Sequence, residues 1–188
     1  MSEGYTINGR QVPSVTTIIR ESVAGAWMPD QYYLQRGTAI HACCALVAQN
    51  KAFRSDPAID GWVAACMRFF AENPCLVISV ERRVESRLYQ YGGRLDAIID
   101  IDGYSVVLDW KSGEMPLLQV GLQLAGYGYA DTVKCKHGMA VTLNGDGTYK
   151  TSGIIELKQY WQGFVACRTV YGLKQELGTL SGEKKGKG

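Results

Sequence analysis

The sequence predicts one α/β domain: a mixed β-sheet flanked by helices, preceded by a helical N-terminal segment. Three observations predict it. Helical stretches fill the first part of the chain, period-two alternation takes over near Leu76, and one further helix then separates the last strands from the first. At 188 residues, with 46% hydrophobic and 20% charged residues, the chain is long enough to bury a sizeable core.

The elements follow in order. Tyr5–Gln11 reads as a short hairpin around Asn8-Gly9, and Pro13-Ser14 then opens a small helix to about Arg20, with Ser14 as its N-cap. A longer helix is expected from Gln31 to Gln49. Another follows Asp56-Pro57, with aspartate as cap and proline at the first helical position, and ends near Asn73-Pro74. Leu76 to Val84 reads as a strand. Two apolar runs then flank Asp102-Gly103, the dipeptide that best closes a two-residue hairpin because both central positions take φ > 0. Pro116 starts a helix expected to run to Lys134. Met139–Leu143 and Gly153–Leu157 read as strands joined across Asn144-Gly-Asp-Gly, and a last helix covers Lys158 to about Glu176. Residues 1–180 form the expected domain and 181–188 a disordered basic tail.

Composition excludes several classes. No apolar stretch reaches membrane-spanning length, and Met1-Ser2-Glu3-Gly4 is not the start of a signal peptide, so a cytoplasmic protein is expected. The six cysteines (43, 44, 66, 75, 135 and 167) form no C-x-x-C pair and read as buried free thiols. Net charge is only +2. Setting aside an acidic cluster, however, Arg82, Arg83, Arg87, Arg94, Lys134 and Lys136 leave a surface that is either a phosphate-tracking groove or simply solubilising charge, and the tail lysines read as the latter.

The chemistry concentrates in residues 93–111. With Ile101 facing Tyr104 across the turn, Asp96 lies opposite Asp109. Opposed residues hold their Cβ atoms about 4.5–5.5 Å apart, where like charges repel. Both acids sit in apolar runs, where an unpaired carboxylate is costly. A divalent cation between them resolves the conflict, and Lys111, two residues past Asp109, shares its face. Two carboxylates, a cation and an ammonium are the components of phosphodiester chemistry.

Three further groups attach to this pair. His41 lies on a helical stripe of small residues with Gly37 and Ala45, which points to close packing that would bring the imidazole to the sheet as a third ligand. Gln119, Gln123 and Tyr127 recur at four-residue spacing beside the apolar stripe of the Pro116 helix, as either a solvated row or the border of the site. Glu81 fits two roles equally, metal-shell acid or arginine partner. His137 sits in a turn and is given no role.

Together these residues resemble the PD-(D/E)XK nuclease superfamily in its RecB-like exonuclease branch. The matching motifs are Arg-Gly-Thr-x-x-His (36–41), Glu81, Gly-x-x-Asp (93–96), Asp-Trp-Lys (109–111) and Gln-x-x-x-Tyr (123–127), in the family's order over about residues 12–170. Pro13-Ser14-Val15-Thr16 is similar to the opening motif of the subgroup with phage exonucleases and the mitochondrial genome maintenance exonuclease. The resemblance implies a restriction-endonuclease-like core and a Mg²⁺- or Mn²⁺-dependent DNA exonuclease of recombination, repair or phage DNA processing. His41, Asp96, Asp109 and the Trp110 main-chain carbonyl would bind metal. Lys111 would orient or deprotonate the attacking water, with Glu81 as outer-shell or second-metal acid. Gln123 and Tyr127 would help hold DNA and order Lys111, and Arg36, Ser14 and Thr16 would also meet DNA.

Two departures qualify the match. Some relatives hold an iron–sulfur cluster with one upstream and three C-terminal cysteines; here only Cys167 lies near the C-terminus, so no cluster is expected. Asp96 is followed by Ala97 rather than by proline, a departure tolerated in this branch. The expected partner is DNA, as single strands or ends, with a recombinase, annealing protein or helicase on a separate chain, and a bacterial or phage source. The helices at 14–20 and 31–49, with Arg10, Arg20 and Arg36, are candidates for an arch over the site. The rival readings are an endonuclease of the same fold and a non-catalytic DNA-binding module.

Overall fold

Residues 4–23, 31–114 and 116–185 are described by a computed structural model. The elements run β1 (Tyr5–Ile7), β2 (Arg10–Val12), α1 (Val15–Ser22), α2 (Gln31–Ala48), a 3₁₀ turn (Pro57–Ile59), α3 (Asp60–Glu72), β3 (Leu76–Ser86), β4 (Tyr91–Ile101), β5 (Tyr104–Lys111), α4 (Leu117–Gly128), β6 (His137–Leu143), β7 (Tyr149–Thr151), β8 (Ile155–Glu156) and α5 (Lys158–Lys185). The main sheet is mixed, in the order β3-β4-β5-β6-β7, with β8 also pairing β6. Strands β3, β4 and β5 are antiparallel neighbours, whereas β5 and β6 run parallel, joined by the α4 crossover. The expected α/β class, with helices on both faces of a mixed sheet, is the one observed.

Each face of the sheet carries its own core. On one, Val15, Ile18 and Ile19 of α1, Leu122, Leu124 and Ala125 of α4 and Phe164 of α5 pack on Ile98 and Val107. On the other, Ile40 and Cys44 of α2 and Val63, Cys66 and Phe69 of α3 pack on Ala97, Ile99, Leu108 and Trp110. Strand residues on both faces are buried, as expected of strands covered by helices on two sides. All six cysteines are free thiols. Among the described residues, no helix is long and apolar enough to cross a membrane.

The hairpin turns where the sequence places them. Asn8 and Gly9 have φ of 51° and 77°, and Asp102 and Gly103 have 52° and 78°. Ser14 caps α1, its hydroxyl accepting from the Thr17 amide at 3.0 Å, and Asp56 accepts from the Ala58 amide at 2.9 Å.

Several boundaries differ from the expectation: β3 runs on to Ser86, and β6 begins at His137, the residue read as part of a turn. Helix α4 ends at Gly128, because the Gly128 carbonyl accepts from the Cys135 amide at 2.9 Å and the chain must double back to enter β6. The strand after β6 begins at Tyr149, where the Asn144–Thr148 turn closes through the Asn144 amide and Thr148 carbonyl at 2.9 Å. Tyr149 is drawn there by its ring against Phe69 and its hydroxyl on Glu72 at 2.8 Å. Gly153, at φ 68°, then redirects the chain so that β8 pairs the far end of β6. Helix α5 continues to Lys185, into the segment read as a tail, while 186–188 lie outside the described residues.

Candidate active site

The β4–β5 ladder has the register set by the Asp102-Gly103 turn, from Ile101↔Tyr104 to Ala97↔Leu108. It stops one rung short of the two acids. Instead of a ladder bond, the Trp110 amide donates to Asp96 Oδ2 at 2.8 Å. Beyond that point β4 continues only beside β3 and β5 only beside β6, to Lys111↔Thr142. The sheet therefore forks at Asp96 and Asp109.

Strand β4 loses its alternation at the same place. Ile98 faces the core under α4, and Ala97 and Ile99 face the other side, yet Leu95 joins Ile98 rather than Ala97. On β3 the partner of Asp96 is missing from the ladder, and Glu81 stands there with φ of 51°. A left-handed non-glycine residue inside a strand is a strained arrangement of the kind found at functional sites. Gly93 has its own reason to be glycine: a Cβ there would lie 2.7 Å from Tyr127 Cε1.

A hydrogen-bonded network fills the fork. Lys111 Nζ donates to Gln123 Oε1 at 2.8 Å and lies 2.5 Å from Asp109 Oδ2. The Gln123 amide nitrogen donates to Asp109 Oδ1 at 3.2 Å and to Tyr127 Oη at 3.3 Å. Gln123 thus bridges an ammonium and a carboxylate with the two ends of one amide. Asp96, Asp109, Lys111, Gln119, Gln123 and Tyr127 are all buried. The Gln119–Gln123–Tyr127 row is therefore interior, not solvated. Burial pushes the Asp109 carboxyl above its ordinary range, Lys111 opposes the rise and Asp96 adds to it. Burial likewise raises the Tyr127 phenol, and the Asp109 charge adds to this.

His41 Nδ1 pairs with Asp96 Oδ1 at 3.1 Å. Burial disfavours its charged form, but the charge and hydrogen bond of Asp96 outweigh that and raise its pKa. The small-residue stripe does not mark close helix packing: a Cβ on Gly37 would meet only Ser112 Oγ, at an ordinary 3.5 Å. Gly37, His41 and Ala45 instead line an open groove of about 890 Å³, with Glu81, Arg94, Asp96, Lys111 and Ser112 across from them. Glu81 meets Arg94 at 3.5 Å; burial first, then Asp96, raises its pKa.

The remaining candidates fall in different places. Arg36 lines the groove, against the rings of Tyr33 and Trp62. The Trp110 indole is buried beside Phe69 and Phe70. Ser14 bridges to Gly92, its hydroxyl engaged by Thr16 and Thr17, and neither Ser14 nor Thr16 lines the groove. Helix α1 packs into the core with α4 and α5, so it does not arch over the site with α2 as expected. Of the other arginines, Arg82 donates to the Thr132 carbonyl, Arg83 lies over Tyr5 and Arg87 pairs with Glu85, all away from the groove lining. Tyr33, Ser112 and Trp62 were missed. Only the tyrosines had a readable signal: Tyr32 and Tyr33 stand four and three residues before Arg36, one helical turn away.

Among the described residues, no group of three or more His, Cys, Asp and Glu side chains stands ready-made around a metal position. As placed, the positive charge against Asp109 is Lys111's own ammonium. The donor chemistry nevertheless suits a hard cation. His41 and Asp96 line the groove, Asp109 is buried beside Lys111, and Asp109 Oδ2 accepts no well-directed hydrogen bond.

No protein-family model matches this chain, and no curated protein sequence does either. A solved structure does. The chain is similar to the exonuclease LHK-Exo in complex with dAMP, at a TM-score of 0.53 over 94% of this chain and 95% of that one, with 12% identity. The fold is one that an exonuclease uses. Another crystal structure of this alkaline exonuclease, from Laribacter hongkongensis, aligns at a TM-score of 0.44, with 12% identity over 89% of this chain and 93% of that one. SSO0001 follows at 0.37, with 14% identity over 81% and 80%.

Proposed function

We propose that this chain is a metal-dependent deoxyribonuclease that removes nucleotides from DNA ends. The observation that carries the reading is the fork itself. A buried lysine ammonium, 2.5 Å from one carboxylate of an acid pair and held by Gln123, lies at the wall of an open groove of about 890 Å³. The fold shared with LHK-Exo supports it.

Asp96 and Asp109 would hold Mg²⁺ or Mn²⁺, with His41 and the Trp110 main-chain carbonyl as further ligands and Glu81 outside them. When bound, such an ion supplies Lewis-acid stabilisation to the phosphoryl oxygens. The protein's own groups do the rest. Lys111 orients the water that attacks phosphorus and offsets the charge gathering on the equatorial oxygens as the P–O bond to the leaving oxygen breaks. Gln123 fixes Lys111 by holding its Nζ, and Tyr127 fixes Gln123. Arg36 and Arg94 meet the backbone phosphates of the strand. A recombinase, annealing protein or helicase on another chain would present the DNA end.

The test uses end-labelled linear single-stranded DNA beside a closed single-stranded circle, with Mg²⁺ or Mn²⁺, for wild type and Lys111→Ala. Loss of the linear strand alone, abolished in the variant, is expected, and the label gives the polarity. Cutting of the circle makes the enzyme an endonuclease. Wild-type rates from Lys111→Ala would remove the proposed site.

A further inference from the structure

Arg36 has an unusual environment for a groove-lining cation. Its guanidinium carbon lies 4.7 Å from the centre of the Trp62 ring, 5.0 Å from Tyr33 and 5.9 Å from Tyr32. Its Nε is buried and has no hydrogen-bond partner. Among the described residues no carboxylate lies within ion-pair distance of it, although Glu81 and Glu114 line the same groove. Among the described residues, aromatic rings are what hold this cation. A guanidinium is weakly hydrated and planar, so it stacks on aromatic faces and keeps its in-plane N–H edge for an anion. A carboxylate partner would hold the arginine as firmly, but would use the edge that a phosphate needs.

Trp62 is itself fixed from behind. It stands in the first turn of α3, where a Cβ on neighbouring Gly61 would fall 1.7 Å from the Gly145 carbonyl oxygen. A Cβ on Gly145 would lie 2.8 Å from the Trp62 ring. Two glycines thus let α3 seat on the turn after β6, and the indole is wedged between that turn and Arg36. Its ring does not line the groove.

We propose that Trp62 is a positioning residue. With Tyr33 it stacks on Arg36 and keeps the guanidinium edge turned to a backbone phosphate of the strand in the groove. The inference rests on the nucleic-acid reading of the site above and adds the residue that makes Arg36 effective.

The test is a double-mutant cycle between Trp62→Leu and Arg36→Ala, with Trp62→Phe as the conservative variant. Affinity for a fluorescent single-stranded oligonucleotide is read by anisotropy with Ca²⁺ in place of Mg²⁺, and KM and kcat are read with Mg²⁺. Trp62→Leu should weaken binding and raise KM by about tenfold, with kcat little changed. Trp62→Phe should restore most of the loss, and on Arg36→Ala the Trp62→Leu change should add nothing. Unchanged affinity in Trp62→Leu, or the same loss with Arg36 already removed, overturns the proposal. Thermal melting reports whether Trp62→Leu folds. If it does not, Tyr33→Leu carries the same cycle, and additivity there overturns the clamp. Binding with the expected coupling but no cleavage by any variant rejects the nuclease reading alone; no binding by wild type rejects both.

Discussion

Two helices border the acid pair and treat their polar side chains in opposite ways. Helix α4 buries Gln119, Gln123 and Tyr127, and Gln123 spends both ends of its amide inside the protein. Helix α2 leaves Tyr32 and Tyr33 exposed at 65% and 44%, and its Arg36 lies against the rings of Tyr33 and Trp62 with Nε unpartnered. A satisfied buried network is rigid, and a group that must carry charge at a fixed point benefits from it. A wall that meets a substrate of variable sequence needs unsatisfied, stackable surface. On the proposed reading, the difference divides the site into reacting groups on the α4 side and strand-gripping groups on the α2 side.

The largest effect should come from the α4 side. Asp109→Asn should lower the cleavage rate by about 10³-fold or more, in line with losing a principal electrostatic group of a reaction site. The fold should survive, because relief of a buried charge that Asp96 also repels offsets part of the lost attraction to Lys111. Cleavage rate beside thermal melting checks this. A large fall in melting temperature would instead make Asp109 a structural member of the pair.

Gln123→Ala comes next. It leaves Lys111 Nζ and Asp109 Oδ1 without their shared partner, a loss of about 1–3 kcal/mol for buried groups. For a chain of this length that corresponds to about 2–4 °C in melting temperature per kcal/mol. A lysine freed to move by about 1 Å should also cost about 10²-fold in rate. The contrast with Arg36→Ala sharpens the division between the two sides. That change should raise KM while sparing kcat, and a fall in kcat of Gln123 size would erase the division.

Much of the α4 side was legible in the sequence, because local chemistry fixes it. Asp102-Gly103 demands two positive φ values, the turn sets the register, and the register alone brings Asp96 opposite Asp109. What the register could not show is that the ladder ends there, since the Asp96 carboxylate competes for the Trp110 amide only once both strands are placed. The α2 side was less legible. The Gly37 stripe read as a packing seam because a helix needs the same small residues to line an open groove as to approach a neighbour. Trp62 gave no signal, as its partner Gly145 is brought to it only by the fold. The position of β7 was missed for the same reason: the Phe69 ring and Glu72 that hold Tyr149 belong to a distant helix.

His41 lies between the two sides, on α2 but bonded to Asp96. His41→Ala should raise the Mg²⁺ concentration for half-maximal activity by about tenfold, the cost of losing a ligand or the group that orients one. Oligonucleotide affinity should stay near wild type. An unchanged metal titration assigns His41 to the structure of the fork, whereas a loss of DNA affinity would move it to the gripping wall.

The smallest effect concerns the strain at Glu81, and it has the clearest sign. In an ordinary strand, replacing alanine by glycine destabilises by about 0.5–1 kcal/mol through lost chain entropy. At φ 51° the order should invert, because a Cβ in the left-handed region costs about 1–2 kcal/mol and glycine escapes it. Both substitutions remove the carboxylate that meets Arg94, so that loss cancels in the comparison. Glu81→Gly should therefore melt higher than Glu81→Ala, while both lose activity. Alanine melting higher than glycine would mean that β3 runs straight past Asp96, and the strain would then be no part of the fork.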